Sequence, residues 1–320
     1  MTPVSHQMVG LARRSGSHLK HHVPRACVRL RKVSRERVPA PLLVVTAIAC
    51  VQTGAAIART LFDDLGVAGT ALLRLVVAAV VLLAILRPSV RSWTRQQWGA
   101  AALLGFALAG MNLVFYSSLD LVPLGVAVTV EFMGPLLLAL VQTRRPIDFA
   151  WVVLAGGGVA ILGAQAAGGD INGLGLLLAF TAGLFWAGYI VSSARVGRVL
   201  PGVDGLAIAL VFAAVLVLPF GAAQSTAAID DPSLLIGVTV VALMSTIIPY
   251  GLELTALRRI PTRVFGVLMS LQPAAASMSG LVILNQRLGV QELVALGMVT
   301  TASAGVTLAN KDATLSKEPL

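Results

Sequence analysis

Residues 122–135 read VPLGVAVTVEFMGP, and residues 260–273 read IPTRVFGVLMSLQP. The two stretches are offset by 138 residues, and each has two prolines separated by eleven residues. Proline lacks a backbone N–H and interrupts helical hydrogen bonding, so Pro135 and Pro273 predict kinks at matching places in two helices. The match predicts a chain built from two related halves. The competing interpretation is two similar apolar bundles whose prolines coincide by chance.

The composition of the whole chain is that of a membrane protein. Apolar residues make up 57% of the 320 residues, charged residues make up 12%, and the mean hydropathy is +0.88. Soluble domains contain about 45–50% apolar and about 25% charged residues, so this chain could not cover a surface that faces water. The same numbers exclude a disordered chain, a coiled coil and a nucleic-acid-binding domain, despite a formal net charge of +10.

The positions of cysteine and histidine argue against an enzyme. Cys27 and Cys50 are the only cysteines, which excludes a disulfide framework and a cysteine-based metal cluster. All four histidines lie within the first 22 residues, so the remaining chain offers neither a zinc site nor a Ser-His triad. The triplet at 156–158 is glycine, but no nucleotide-binding lysine follows it. We predict no catalytic residue, no cofactor and no metal.

Ten apolar segments long enough to cross a membrane lie between residues 41 and 310, since a crossing helix needs about 20 residues. The predicted segments are 41–62, 66–86, 98–118, 124–143, 149–168, 173–193, 204–225, 233–256, 261–284 and 289–309. We therefore predict an all-α integral membrane protein in four parts. These are a basic tail (1–40), a first five-helix repeat (41–168), a second five-helix repeat (173–309) and a C-terminal tail (310–320).

Lysine and arginine predict the orientation in the membrane. Of the 24 such residues, 21 lie in the two tails or just after the even-numbered segments. Positively charged loops stay in the cytoplasm, so we predict a protein of the cytoplasmic (inner) membrane with both termini cytoplasmic. A cleaved signal is the competing interpretation of the N-terminus, but the apolar run continues to Phe62. We expect the basic tail to lie near anionic membrane lipid.

Because each repeat has an odd number of helices, the second repeat must enter the membrane from the opposite side. Inverted repeats of this kind are typical of secondary transporters, which bind substrate near the membrane midplane between the two halves.

Several motifs resemble the EamA-type drug/metabolite transporter family. They are the stretch 122–135 and the segments 52–55 (QTGA), 110–112 (GMN), 115–116 (FY), 144–149 (RRPIDF), 249–253 (PYGLE) and 268–271 (LMSL). The resemblance covers about 41–310 and implies a ten-helix exporter of small hydrophilic amino acids such as threonine or homoserine. Where the family commonly has Gly-Glu, this chain has Asn285-Gln286, so a charge role is lost there.

Few ionisable side chains lie inside the predicted segments, and Arg74, Glu131 and Glu253 are the chief ones. A charge near the centre of a membrane helix costs about 2.5–3.5 kcal/mol, so each should line a cavity or form a pair. From the rise of about 1.5 Å per residue, Arg74 and Glu131 lie about 10–12 Å below the outer side, with Asn112 in the same layer.

This layer suits a zwitterionic amino acid. Arg74 would bind the carboxylate, Glu131 the ammonium, and Asn112 or Gln52 a side-chain hydroxyl. The competing interpretations are a structural Arg74–Glu131 ion pair and hydrogen bonds between helices for the two amides. The candidate substrate-binding or coupling residues are Arg74, Asn112, Glu131, Glu253, Gln52, Tyr250, Trp186 and Tyr189, and the predicted helix kinks are at Pro135, Pro273 and Pro249.

Trp186 and Tyr189 could form an aromatic wall against the substrate ammonium, with membrane packing as the alternative for each residue. Without a nucleotide site, export must draw on a gradient, and two buried carboxylates favour proton antiport. If Arg74 paired with Glu131, Glu253 would become the better proton site.

Two other functions compete with amino-acid export. One is transport of a different metabolite or drug, since proteins of one fold carry many substrates. A low content of aromatic residues, 5%, disfavours a bulky aromatic substrate. The other is an intramembrane enzyme or a lipid-handling scaffold, for which the core lacks a nucleophile-and-base set. The predicted partners are a small amino acid, protons and membrane lipid, with no nucleic acid. The oligomeric state stays open, a homodimer included.

Overall fold

The computed structural model describes residues 38–143, 146–169, 171–200 and 203–309, and the regular secondary structure of these residues is helical. The helices are α1 (Ala40–Thr60), α2 (Phe62–Leu86), α3 (Arg95–Leu121), α4 (Leu124–Glu131), α5 (Met133–Thr143), α6 (Pro146–Gly168), α7 (Gly173–Val199), α8 (Asp204–Ser225), α9 (Ala227–Asp230), α10 (Ser233–Ala242), α11 (Ile248–Leu257), α12 (Thr262–Met269), α13 (Gln272–Leu284) and α14 (Val290–Ala309). A 3₁₀ turn (Val90–Ser92) precedes α3, and a π turn (Leu243–Ile247) joins α10 to α11.

Within the described part of the chain, nine helical segments are long and apolar enough to cross a membrane. They correspond to the first nine predicted segments, and the all-α prediction is confirmed. The tenth predicted segment is helical as α14. The predicted tails up to residue 37 and from residue 310, together with Arg144, Arg145 and Asp170, lie outside the described residues.

Side chains define the starts of two long helices. Thr94 and Gln97 form a capping box before α3, in which the Thr94 hydroxyl accepts from the Gln97 N–H and the Gln97 amide oxygen accepts from the Thr94 N–H. Asn172 caps α7 by accepting from the Gly175 N–H at 3.1 Å. These caps satisfy backbone donors that the first helical turn leaves without partners.

Close contact with α8 explains a glycine in α2. Gly66 has a φ of +66°, and a Cβ atom there would lie 2.4 Å from the side-chain oxygen of Gln224. The same oxygen accepts from the Gly69 N–H at 2.9 Å. Only glycine accommodates both the left-handed backbone and the close approach of the glutamine.

Two helices are interrupted at matching places. The segments α4 and α12 are both eight residues long, and their first residues (Leu124, Thr262) and last residues (Glu131, Met269) are offset by the same 138 residues. After each short helix the chain turns briefly and then enters α5 or α13. The interruptions immediately precede the predicted kink prolines.

Helices of the first half (α1–α6) pack largely against helices of the second half (α7–α14). In the predicted repeat, α2 corresponds to α8 and α6 to α14, and the helices of each of these pairs pack against each other. Two further contacts are exchanged between the halves, because α3 packs against α7 as α11 packs against α1, and α5 packs against α7 as α13 packs against α1. The short helix α4 also packs against α7 and α13. Both interrupted helices therefore lie against partners from the opposite half, close to the centre of the bundle.

Candidate functional site

A cavity of about 490 Å³ lies between the two halves. Its walls include parts of α1, α2, α3, α4, α7, the π turn, α11, α12, α13 and α14. Seven of the eight predicted site residues line it, namely Gln52, Arg74, Asn112, Glu131, Trp186, Tyr189 and Glu253. Among the predicted kink prolines, Pro135 lines the cavity, whereas Pro249 and Pro273 are not among its lining residues.

Arg74 on α2 is held by two side chains of α3. One guanidinium nitrogen donates to the Asn112 side-chain oxygen and the other to the Tyr116 hydroxyl at 3.3 Å. The guanidinium carbon also lies 5.5 Å from the centre of the Tyr116 ring. Asn112 is fixed in turn, because its amide nitrogen donates to the Leu108 carbonyl at 2.7 Å. The Arg74 Nε is buried without a hydrogen-bond partner in the described structure, so the guanidinium is positioned yet keeps donor capacity.

The alternative Arg74–Glu131 ion pair is not formed. Among the described residues, no ion pair of 4.0 Å or less involves either side chain. Glu131 is the last residue of α4, is 8% exposed and lines the cavity. Close packing of α7 contributes to its burial, since a Cβ atom on Gly183 would lie 2.3 Å from the Glu131 carbonyl oxygen.

Glu253 provides the second carboxylate of the cavity, from α11. Tyr189 and Tyr250 both lie near enough to interact with it electrostatically. Tyr250, however, is not among the lining residues, so its role stays a prediction. The π turn adds a residue before α11 and so aligns Ser245 with Glu253 in the cavity wall.

The aromatic side of the cavity is formed by Trp186 and Tyr189 of α7 and by Phe132 at the interruption after α4. The Phe132 and Trp186 rings meet edge to face, with centroids 4.9 Å apart and an interplanar angle of 81°. This contact joins the interrupted helix of the first half to the first helix of the second half.

Five polar residues of the cavity are absent from the sequence-based set, namely Tyr116, Ser245, Gln272, Ser303 and Thr307. The Gln52 side-chain N–H donates to the Gln272 side-chain oxygen at 3.2 Å, which links α1 to the first residue of α13. The signal that could have found Gln272 is an amide next to a helix-interrupting proline in an apolar segment, since such interruptions often line binding sites. Ser245 gave no comparable signal, because its position depends on the π turn.

Polar contacts tie several helix ends together at one end of the bundle. Arg59 donates to the Leu119 carbonyl at 3.1 Å and forms an ion pair with Asp120 at 3.2 Å. The Gln286 side-chain oxygen accepts from the Leu124 N–H at 2.9 Å and so caps α4 from the other half. The chain reaches this position through Asn285, whose φ is +54°. Gln286 therefore supplies a hydrogen-bond acceptor where the sequence indicated only a lost charge.

The model of the EamA-like transporter family matches residues 173–308. Over 280 residues the chain is 40% identical to the threonine/homoserine exporter RhtA of Escherichia coli (strain K12), covering 87% of this chain and 94% of that protein. The chain belongs to the EamA-like transporter family. A second relative in this family, the threonine/homoserine exporter RhtA of Salmonella typhimurium (strain LT2), is 39% identical over 281 residues, which cover 87% of this chain and 92% of that one.

A solved crystal structure shares the fold. It is 21% identical and aligns with a TM-score of 0.55 over 86% of this chain and 98% of that chain. Together with the apolar helices, these comparisons identify a multi-pass membrane transporter. The names of its relatives describe export rather than catalysis.

Proposed function

We propose that this protein exports threonine, homoserine or a closely related small amino acid across the cytoplasmic membrane. The observation that carries the proposal is one cavity that contains a guanidinium and two carboxylates with no ion pair between them in the described structure. Charged side chains inside membrane-spanning helices cost free energy unless a polar ligand or another polar group interacts with them. The names of the relatives identify amino acids with a side-chain hydroxyl as the substrates to test.

The charged groups suit the two ends of an amino acid. Arg74, aligned by Asn112 and Tyr116, would receive the carboxylate through its unpartnered Nε and an adjacent nitrogen. Glu131 would bind the ammonium, with the Trp186 face as a second contact for the positive charge. Arg74 would then pair with the substrate carboxylate and Glu131 with the substrate ammonium, instead of pairing with each other.

Ten crossing helices in two inverted halves would provide the transport path, with α14 as the tenth. The equal offset of α4 and α12 and the exchanged packing pairs support this arrangement. With both termini in the cytoplasm, the cavity would open inward, because Phe265 and Thr307 extend its wall to the cytoplasmic ends of α12 and α14. The contacts of Arg59 and Gln286 would then close the outer end.

Proton antiport would drive export, with Glu131 or Glu253 as the carrier. In the described structure neither carboxylate forms an ion pair, so either can gain or lose a proton without breaking one. Competition between a proton and the substrate ammonium for Glu131 would couple the two movements directly.

Counterflow in proteoliposomes tests the substrate. Liposomes loaded with unlabelled threonine should accumulate labelled threonine and homoserine when they contain the protein. Arg74→Ala should reduce uptake to the level of empty liposomes. The matched control is Arg91→Ala, because Arg91 is exposed outside the cavity. Uptake of an unrelated metabolite without either amino acid would refute the substrate assignment.

Proton release tests the coupling. Adding threonine to purified protein in weakly buffered solution should release protons, and the signal should disappear in Glu131→Gln, in Glu253→Gln or in both. Release that persisted unchanged in each variant would rule out a carboxylate carrier.

A further inference from the structure

Two glutamine side chains form an amide pair in the cavity wall. Gln52 is 2% exposed and Gln272 is 8% exposed, and the side-chain N–H of Gln52 donates to the side-chain oxygen of Gln272. Both line the same cavity as Arg74 and Glu131. An amide pair that served only to join α1 and α13 would be expected to use its remaining polar atoms elsewhere in the protein.

The remaining atoms of this pair are not used in that way. The Gln52 side-chain oxygen is buried and has no hydrogen-bond partner in the described structure. Among the described residues, the amide nitrogen of Gln272 donates only to the Met269 sulfur, at 3.8 Å, and a thioether is a weak acceptor. The pair therefore contains one acceptor without a partner and one poorly satisfied donor in the described structure.

The same cavity wall contains a third polar atom without a partner in the described structure. The hydroxyl of Ser245 on the π turn is buried without a partner in the described part of the chain. It is pressed against α1, since a Cβ atom on Gly54 would lie 2.4 Å from it. Ser245 and Gln52 both line the cavity, so Ser245 adds a further polar atom to its wall.

We propose that Gln52 and Gln272 form the subsite that recognises the substrate's side-chain hydroxyl. A hydroxyl both donates and accepts, so it can donate to the Gln52 oxygen and accept from the Gln272 nitrogen at once. A methyl group in the same place would leave both buried atoms unsatisfied. An ammonium carries donors alone and would match only one of them. The assignment rests on the proposed function and specifies which amino acids the site prefers.

Threonine and valine provide the test, because valine has a methyl group where threonine has its hydroxyl. In proteoliposome counterflow the wild-type protein should prefer threonine. Gln272→Met and Gln52→Met should each lower the threonine-to-valine ratio of kcat/KM about tenfold, the size expected for one buried hydrogen-bonding group. The ratio should fall through slower threonine transport, with valine transport preserved.

Gln165→Met is the matched control, because Gln165 is equally buried, also has an unpartnered amide atom, and does not line the cavity. The threonine-to-valine ratio of Gln165→Met should equal that of the wild type.

An unchanged ratio in both Gln52→Met and Gln272→Met would overturn the assignment, and so would loss of both substrates in both variants. If the wild type transports neither amino acid, the proposed function itself fails. Equal wild-type transport of both would refute the hydroxyl subsite alone.

Discussion

The two interrupted helices, α4–α5 and α12–α13, are interrupted at equivalent backbone positions but have different side chains there. Gly134 and Gln272 are offset by 138 residues, and each lies at the start of the helix that follows an interruption. A Cβ atom on Gly134 would lie 1.8 Å from the Gly183 carbonyl oxygen, so α5 and α7 meet backbone to backbone. At the other interruption the corresponding contact is the amide pair between Gln272 and Gln52.

The difference distinguishes the repeated backbone arrangement from the chemistry that the proposed substrate would require. Both halves contain an interrupted helix. The proposed substrate, an amino acid, has no two-fold symmetry, because its carboxylate, ammonium and side chain need different partners. A symmetric scaffold can bind it only if equivalent positions carry different side chains. One interruption therefore has a glycine contact beside a carboxylate, and the other has an amide pair.

The largest effect is expected from a substitution at Gly134, where the close backbone contact leaves no space for a side chain. Gly134→Ala should prevent correct folding, because its Cβ atom would overlap backbone that cannot move aside; overpacking alone costs about 1–3 kcal/mol. Fluorescence-detected size-exclusion chromatography in detergent should show loss of the monodisperse peak. Gly156→Ala is the control, since no atom lies within 4 Å of the added Cβ. A Gly134→Ala protein that folds and transports normally would contradict the close backbone contact.

The next effect tests the chemical asymmetry of the two interruptions. Glu131→Gln should reduce threonine counterflow to background, because the ammonium loses its carboxylate. The equivalent change in the other half, Met269→Gln, alters the contact with Gln272 but keeps the Glu131 carboxylate, so counterflow should fall less. Glu131→Gln should also melt no lower than the wild type, since it removes a buried charge. Equal losses in the two variants would mean that the halves share the chemistry evenly.

A smaller and symmetric effect is expected at the prolines. Pro135→Ala and Pro273→Ala each restore an N–H that can bond to the carbonyl four residues earlier, which favours a straight helix. Turnover should fall several-fold in both variants, while the threonine-to-valine ratio stays unchanged. A strong effect at only one proline, measured in the same counterflow assay, would show that the two interruptions do not move as equivalents.

The smallest effect concerns the support of the first interrupted helix. Gln286→Ala removes the acceptor of the Leu124 N–H, and α4 has no side-chain cap of its own from Pro123. Loss of a helix cap typically costs about 1 kcal/mol, so the melting temperature in detergent should fall by a few degrees. Gln286→Glu keeps the acceptor and should melt close to the wild type. No decrease in Gln286→Ala would mean that the cap adds nothing.

The sequence predicted the parts of the site that depend on local rules. Apolar length located the helices, the repeated prolines located both interruptions, and helical rise placed Arg74 and Asn112 in one layer, where they are hydrogen-bonded. It did not predict the hydrogen bond between Gln52 and Gln272, because a partner 220 residues away has no local signature. It also did not predict that Ser245 lies in the cavity wall, because that position depends on the π turn.

By itself the sequence determined that this chain is a membrane protein with interrupted helices in two related places, because the length of an apolar segment and a missing N–H group are properties of contiguous residues. Tertiary structure alone decided which polar atoms were left without partners. Arg74 keeps a free donor instead of pairing with Glu131, and Gln52 keeps a free acceptor. Whether a buried group is satisfied depends on neighbours from distant helices, and only packing brings those neighbours together.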